Sequence, residues 1–396
     1  RGRPLRPWQP QRQALQLIGS HQDAAWARWG DWRLGPSSLL WMLKQRIDRT
    51  FMAGFRRPGS MADAAPMACR GCAAKLPAQP LAAALERVGL GGQPEDAASL
   101  PGSEQLLQSV DGFPALVSDP WLNGRLTALH ACSDLWACGA RVSSAMATVT
   151  LPMVSAEEQQ ELLVQTLAGI RSVLDEQGAE LIGGHTMESR SAPPVPASLG
   201  IQITLTVNGN SPKSPWLKTG LRPGDALLIS RPLGTGVLFA GTMTGATKAT
   251  DLDAALKGMA CSQHVLLGQI EPIREGIHAC TDITGFGLLG HLGEMLQNSP
   301  GLTVELDGSA IPAYPGSLDL FKRGVSSTLA PSNRTAWRWL EGPVQLKQPP
   351  SAGLLELLVD PQTCGPLLLA CSSATAAQLT QNGPWLQIGS ATAAHG

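Results

Sequence analysis

Leu39, Leu43, Ile47, Phe51 and Phe55 recur every four residues, with Lys44, Arg46 and Arg49 between them. That period puts an apolar stripe and a basic face on one helix, and "GPSS" just ahead supplies its start. Two uses fit such a helix: packing on a neighbouring domain, or lying on a membrane surface. Nucleic acid is disfavoured, because no basic patch continues beyond it. "RPGSMADAAPMA" (57–68) is small, Pro- and Ala-rich and reads as a linker. Beyond it the chain alternates. Strand-like runs are "ALVSD" (115–119), "AMATVTLP" (145–152), "IQITLTV" (201–207) and "DALLISRP" (225–232). Helix-like runs cover 80–89, 121–138, 155–177 and 286–297. The mixture predicts an α/β (α+β) protein. The turn-rich stretch near 216–224 divides it into two halves, 80–215 and 216–396, behind a short, mostly helical head (1–57) and a connecting loop (58–79). No short-period repeat is visible.

Charge sharpens the division between head and body. The 396 residues carry a net charge of -1, but residues 1–57 hold eleven Lys and Arg against three Asp. The same segment holds Trp8, Trp26, Trp29, Trp32 and Trp41, five of the eleven Trp. The chain is a basic, Trp-rich head on an acidic body. Eight Cys, at 69, 72, 132, 138, 261, 280, 364 and 371, are scattered rather than arranged as a disulfide framework. No apolar run has the length of a membrane span and no secretory signal opens the sequence, so a reducing cytoplasm is the expected compartment. The first residue is Arg, as a truncated chain would show.

Several stretches bear chemistry. "CRGCAAK" (69–75) has Cys69 and Cys72 in C-x-x-C spacing and Lys75 three residues on. It reads as half a zinc site, a dithiol couple, or a nucleophilic thiol beside a phosphate-binding lysine. "GFGLLG" (285–290) matches G-x-G-x-x-G, but "TDIT" runs into it, and Asp282 there would repel a pyrophosphate unless a cation intervened. A glycine-lined helix start behind a metal-binding Asp fits better. Asp96, Asp111, Asp134 and Asp282 are each isolated among small or apolar neighbours. Singly they read as helix caps or turns. Together they suit Mg²⁺, which takes oxygen ligands and bridges phosphates. "IGGHTME" (182–188) and "RPLGTGV" (231–237) are glycine turns whose N–H groups suit phosphate. His185 is either a core histidine or a nucleotide contact.

"GCAAKLP" (71–77), "EDAA" (95–98), "VDGF" (110–113), "SDLWACGA" (133–140), "GGHT" (183–186), "RPLGTG" (231–236), "TDITGFGLLGH" (281–291) and "DPQTCGPLLLA" (360–370) occur in this order over some 300 residues. In this it resembles the selenophosphate synthetase (selenide, water dikinase) family. The resemblance implies a two-domain fold of the aminoimidazole-ribonucleotide-synthetase type, a homodimer, and conversion of ATP, selenide and water to selenophosphate, AMP and phosphate. It implies catalytic roles for Cys72 and Lys75, and Mg²⁺ ligands at Asp96, Asp134 and Asp282. It also implies nucleotide contacts at Lys75, Asp111, Asp134, Gly184, His185 and Thr186. A monovalent cation and a selenium-delivery protein are further options. The loop carrying Cys72 and Lys75 can close as a lid against water.

The sequence departs from the family pattern at Ala74 (often Cys), His130 (often Asn), and Cys364 and Pro366 (Ser and Gly of "DPQTSGG"). Rivals are an ATP-using enzyme of the same fold, of the thiamine-phosphate kinase or hydrogenase-maturation kind, a zinc or thiol module, and a flavoprotein. The head resembles the C-terminal tail of an FAD-dependent NADH-dehydrogenase-like oxidoreductase fused in front; no flavin site lies in these residues. Cys69 is left as a candidate resolving thiol for Cys72.

Overall fold

Residues 14–20, 23–56, 69–89, 95–103, 105–192, 196–297 and 299–394 are described by a computed structural model of the chain. The chain divides into two units, Arg1–Met67 and Ala68–Gly396. The linker expected at 57–68 and Trp8 lie outside the described residues, as do the side chains of Phe51 and Phe55.

In the first unit, strands β1 (Gln16–Ser20), β2 (Ala24–Trp29) and β3 (Trp32–Ser37) form an antiparallel meander, followed by helix α1 (Ser38–Arg56). The expected basic helix is present, but the head is not mostly helical. Gly30, at φ +57, turns the chain between the paired Trp29 and Trp32, a strand-turn-strand signal that a search for helical period passes over. The helix lies on the sheet: a Cβ on Gly19 would meet the Trp41 ring at 3.0 Å. Among the described residues, no helix is long and apolar enough to cross a membrane.

The second unit begins with a 3₁₀ turn (Gly71–Ala74) and α2 (Ala78–Arg87). Its first sheet is built from β4 (Ala98–Ser99), β5 (Leu106–Pro114), β6 (Arg141–Leu151), β7 (Glu180–Glu188) and β8 (Gln202–Asn210) in the order β4-β5-β8-β6-β7. Only β6 and β7 run parallel. Alternate residues face opposite sides. Leu107, Val149, Ile203, Leu205 and Val207 turn into the core and pack under α3 (Pro120–Ala137) and α4 (Ala156–Glu176), while Val110 and Met146 stay exposed on the other face. Asp119 caps α3 by accepting from Leu122 N at 3.0 Å, and Pro120 fills the first turn, where its missing N–H costs nothing.

Two sequence expectations fail here for backbone reasons. "ALVSD" is not a strand: Asn123 accepts from Leu116 N (2.8 Å) and Val117 N (3.0 Å), so those groups are satisfied without a ladder partner. "IGGHTME" is not a turn but part of strand β7, paired with β6.

A second sheet contains β9 (Ala226–Ile229), β10 (Ile277–Asp282), β11 (Leu302–Leu306), β12 (Val344–Leu346), β13 (Leu367–Cys371) and β14 (Leu386–Ala393) in the order β10-β13-β9-β14-β11-β12. Around it lie α5 (Thr235–Met243), α6 (Ala249–Met259), α7 (His264–Ile270), α8 (Gly287–Leu296), α9 (Ser317–Lys322), α10 (Ala330–Asn333), α11 (Ala352–Val359) and α12 (Ser373–Asn382). β9 reads Ala-Leu-Leu-Ile and is buried throughout, as a central strand covered on both faces must be.

The "DPQT" loop caps α5. Gln362 Oε1 accepts from Gly234 N (2.9 Å) and Thr235 N (3.1 Å), and Asp360 Oδ2 from Gly236 N (3.0 Å). Burial pushes the Asp360 carboxyl up to about 8, against the hydrogen bonds it accepts. Its folded-state value is raised, so its contribution to stability is complete below pH 4 and is lost as pH rises through 8. Asp360→Asn should therefore gain thermal stability relative to the native chain between pH 5 and pH 9. Melting curves across that range check this; a constant Tm difference would refute it.

Candidate active site

Helix α3 carries His130, Ser133 and Asp134 within about one turn. Strand β5 presents Ser109 and Asp111, two residues apart, toward that helix. Asp282 ends β10, and Asp96 lies just ahead of β4. Oxygens of Asp96, Asp134 and Asp282 all lie within 4.8 Å of one another. Ser109 Oγ donates to Asp134 Oδ2 at 2.5 Å, Ser133 Oγ donates to Asp282, and Thr281 Oγ1 donates to Asp96 Oδ1 at 3.2 Å. Lys218 Nζ pairs with Asp96 (2.8 Å) and with Glu294 (2.9 Å), whose other partner is His291 Nδ1 at 3.3 Å.

Three carboxylates this close repel one another. Burial, then Asp282, Asp111 and Asp96, push the Asp134 carboxyl well above its ordinary range. Burial also pushes Asp96 up, Lys218 pulls it back, and it stands at about 6. A divalent cation inverts this balance. The donor set, all hard oxygen, fits Mg²⁺ rather than zinc, and no cysteine belongs to it.

The 69–75 segment closes over this cluster. Cys72 N donates to Thr363 Oγ1 at 3.1 Å, and Arg70 reaches Leu199 O at 2.6 Å. Gly71 has φ +65, and a Cβ there would meet Thr363 Oγ1 at 2.7 Å, so only glycine fits. On the other side a Cβ on Gly285 would meet Lys75 Cδ at 2.9 Å. The glycine-rich block after Asp282 thus makes room for a lysine, and no dinucleotide fingerprint is needed to explain it. Gly287 opens α8 at φ +72 behind Asp282.

Lys75 Nζ lies 3.7 Å from Asp111 Oδ2 and 6.0 Å from the Phe286 ring centroid. Burial opposes its charge, but Asp111, Cys72, Asp134 and Asp282 outweigh burial and hold the ammonium firmly protonated. Asp111 accepts from Gly112 N at 2.7 Å and lies 3.1 Å from His130 Nε2. Burial would raise its carboxyl, yet His130 and Lys75 hold it well below the usual range. Burial likewise opposes a charge on His130, while Cys72 and Asp111 pull toward one, but the Cys364 N–H donating to Nδ1 at 3.2 Å leaves no place for a second ring proton, so the geometry fixes a neutral ring with its proton on Nε2.

Cys72, Lys75, Asp96, Asp111, Asp134 and Asp282 are thus brought together. Gly184, His185 and Thr186 are not: they lie on the edge strand β7, three strand spacings from β5, about 14 Å away. His185 is exposed, not a core residue. Sequence reasoning missed Ser109, Ser133, Lys218, Glu294 and Thr363, which support the charged groups. His130 was visible only as a departure from the family pattern. An isolated Lys in a turn-rich stretch, such as Lys218, gives no signal of its own.

Known proteins resemble this chain in sequence and in fold. Residues 94–209 match the N-terminal domain of AIR synthase related proteins and residues 222–395 their C-terminal domain. Selenide, water dikinase of Nitratidesulfovibrio vulgaris (strain DP4) is 34% identical over 319 residues, covering 80% of this chain and 86% of that protein. The enzyme of the same name from Bdellovibrio bacteriovorus is 31% identical over 327 residues, covering 78% and 88%. Among solved structures, thiamine monophosphate kinase from Aquifex aeolicus matches with a TM-score of 0.57 at 15% identity, covering 80% of this chain and 94% of that one. Hydrogenase maturation protein HypE in complex with ATP matches at 0.52 and 20%, covering 76% and 80%. These structures establish the two-domain fold of aminoimidazole-ribonucleotide-synthetase type.

Magnesium should raise the Tm of the native chain by several degrees, through binding linkage. Asp134→Asn and Asp282→Asn should abolish that rise. With metal chelated, Asp134→Asn should melt no lower than the native chain at pH 8, because it removes a costly buried charge. Thermal scans with EDTA and with Mg²⁺ check both; an undiminished magnesium shift in the two variants would sink the assignment.

Proposed function

The chain belongs to the selenide, water dikinase family, and from that premise we propose that it converts ATP, selenide and water to selenophosphate, AMP and phosphate. It is an enzyme of that class, a phosphotransferase with paired acceptors. The observation carrying the finer reading is the meeting of Lys75 and Cys72 with Asp96, Asp134 and Asp282 at one buried locus. Asp96, Asp134 and Asp282 would hold Mg²⁺, which bridges and neutralises phosphate oxygens when bound. Lys75, kept cationic by four acidic neighbours, sets a point charge against the same phosphates. Asp111 anchors that lysine at one end of its reach. On this reading the 69–75 segment covers the cluster, and Cys72, 3% exposed, would meet selenide with bulk water kept out. The product would supply selenocysteine and selenouridine synthesis.

Further parts of the reading follow from the fold. The division between halves falls in the segment joining the two sheets, near 216–224. The open face of the first sheet, with Val110 and Met146 exposed, suits a homodimer contact. A second copy would bring the distant Gly184, His185 and Thr186 to a nucleotide that one chain cannot offer them. A monovalent cation and a selenium-delivery protein remain part of the reading. The cytoplasm is its compartment, consistent with eight free cysteines, seven of them buried. The head, a separate unit with its own small sheet, is read as the remnant of the fused oxidoreductase. Its exposed Leu39, Leu43 and Ile47 leave a membrane-surface contact as a lesser option.

With Mg²⁺ and reduced enzyme, AMP should form only when selenide is added. Cys72→Ser should lower that rate by about a hundredfold or more, and Cys69→Ser by less than about tenfold. Nucleotide products resolved by chromatography decide it. ADP as end product, or AMP formed equally without selenide, would contradict the reading and favour a sister kinase of the same fold.

A further inference from the structure

Two positions at which the sequence departs from the family, His130 and Cys364, touch each other in the structure, and His130 touches the sulfur of Cys72. His130 is fully buried on α3, and its Nε2 lies 2.8 Å from Cys72 Sγ and 3.1 Å from Asp111 Oδ2. Its other nitrogen, Nδ1, accepts from the main-chain N–H of Cys364 at 3.2 Å. A ring nitrogen that accepts an N–H cannot carry a proton itself. The ring proton therefore sits on Nε2, aimed at the Cys72 sulfur and Asp111.

Three contacts hold that arrangement. Phe113 stands edge-on to the imidazole, with ring centroids 5.5 Å apart. Cys364 adopts φ +51, a left-handed conformation uncommon outside glycine, and this places its N–H toward α3. Its thiol donates to Leu126 O at 3.2 Å, one helical turn before His130, which ties the loop to the helix that carries the ring. Lys75 of the same loop is under the charges of Cys72, Asp111 of β5, Asp134 of α3 and Asp282 of β10, and Thr363 of the "DPQT" loop accepts from the Cys72 main-chain N–H.

We infer that His130 is a positioning residue for Cys72: its Nε2–H, fixed in that tautomer by the amide of Cys364, holds the sulfur in line with Asp111 and Lys75. A sulfur that accepts from Nε2–H is presented as an acceptor, the form a nucleophilic or selenide-handling thiol needs. This rests on the reading of Cys72 as the reactive thiol, but its test does not use the selenide reaction. Neither His130 nor Cys364 was assigned a role by the family motif.

Long-range ¹⁵N correlation spectra of the full chain, with His130 identified by the signal lost in His130→Asn, should show Nε2 protonated and Nδ1 bare at neutral pH. A proton on Nδ1 would overturn the proposal. In metal-free protein, His130→Asn should slow alkylation of Cys72 by iodoacetamide about tenfold, followed by peptide mass spectrometry, with Cys69 as internal reference. Mere loosening of the packing would speed alkylation of a thiol only 3% exposed, so the sign separates positioning from structure. Cys364→Gly keeps the amide and favours positive φ, and should stay within about twofold of the native rate. A native or faster Cys72 rate in folded His130→Asn sinks the idea, and so does a Cys364→Gly rate as slow as that of His130→Asn.

Discussion

The mutual repulsion of Asp96, Asp134 and Asp282 is the constraint around which the second unit is arranged. Their oxygens lie within 4.8 Å of one another, with Asp282 buried and Asp96 and Asp134 partly buried. A chain folding for stability alone would not assemble them, since each added carboxylate raises the cost of ionising the next. The compensation comes from two lysines outside the sheets. Lys218, ahead of the second sheet, balances Asp96, and Lys75, on the covering segment, answers Asp111, Asp134 and Asp282. Acids of both halves thus meet at one locus with a lysine of the second half and a lysine of the covering segment. On the proposed reading, a cation bound there would neutralise the acids that the lysines leave unbalanced.

Helix α3 is the mechanical element of this arrangement. Thirteen of its eighteen residues are buried, so it is gripped on all sides. At its crossing with α4, Cβ atoms on Gly124 and Gly169 would run into the backbone of the opposite helix, which sets how close the two lie. A helix held that rigidly can carry His130, Ser133 and Asp134 as polar groups inside an apolar core. Its depth is the largest cause of the upward shift of the Asp134 carboxyl, whereas at His130 burial works against the pull of Cys72 and Asp111.

The body of the fold was legible because its helices and central strands follow simple periods. "DALLISRP", "IQITLTV" and the four helix-like runs map onto β9, β8, α2, α3, α4 and α8. "ALVSD" failed because Asn123, a side chain eight residues from its start, takes over the backbone bonding of the segment. "IGGHTME" failed because glycine in a strand signals close approach as readily as a turn; a Cβ on Gly184 would strike the Ala147 carbonyl. In the site, the acids were legible as isolated charges in small-residue blocks. Their partners were not. Ser109, Ser133 and Thr363 matter by distance alone, and distances between residues far apart in the chain leave no trace in local composition.

His130 shows where that boundary falls. In the sequence it is one substituted letter in "LHACSD", and a conservative reading would treat it as a tolerated change. In the structure its two nitrogens face groups from three different segments: Cys72 of the covering loop, Asp111 of β5 and the amide of Cys364. A histidine differs from an asparagine at such a position by having a rigid ring with one donor and one acceptor on opposite sides, so that fixing one nitrogen fixes the other. The left-handed backbone at Cys364 supplies the fixing amide, and Gly71 supplies the close approach that brings Cys72 within reach. Each of these would be a small cost in isolation. Together they convert backbone conformation at one end of the "DPQT" loop into the orientation of a sulfur on the covering segment. The chemistry of that sulfur therefore belongs to both halves of the unit and not to the C-x-x-C motif in which it was first seen.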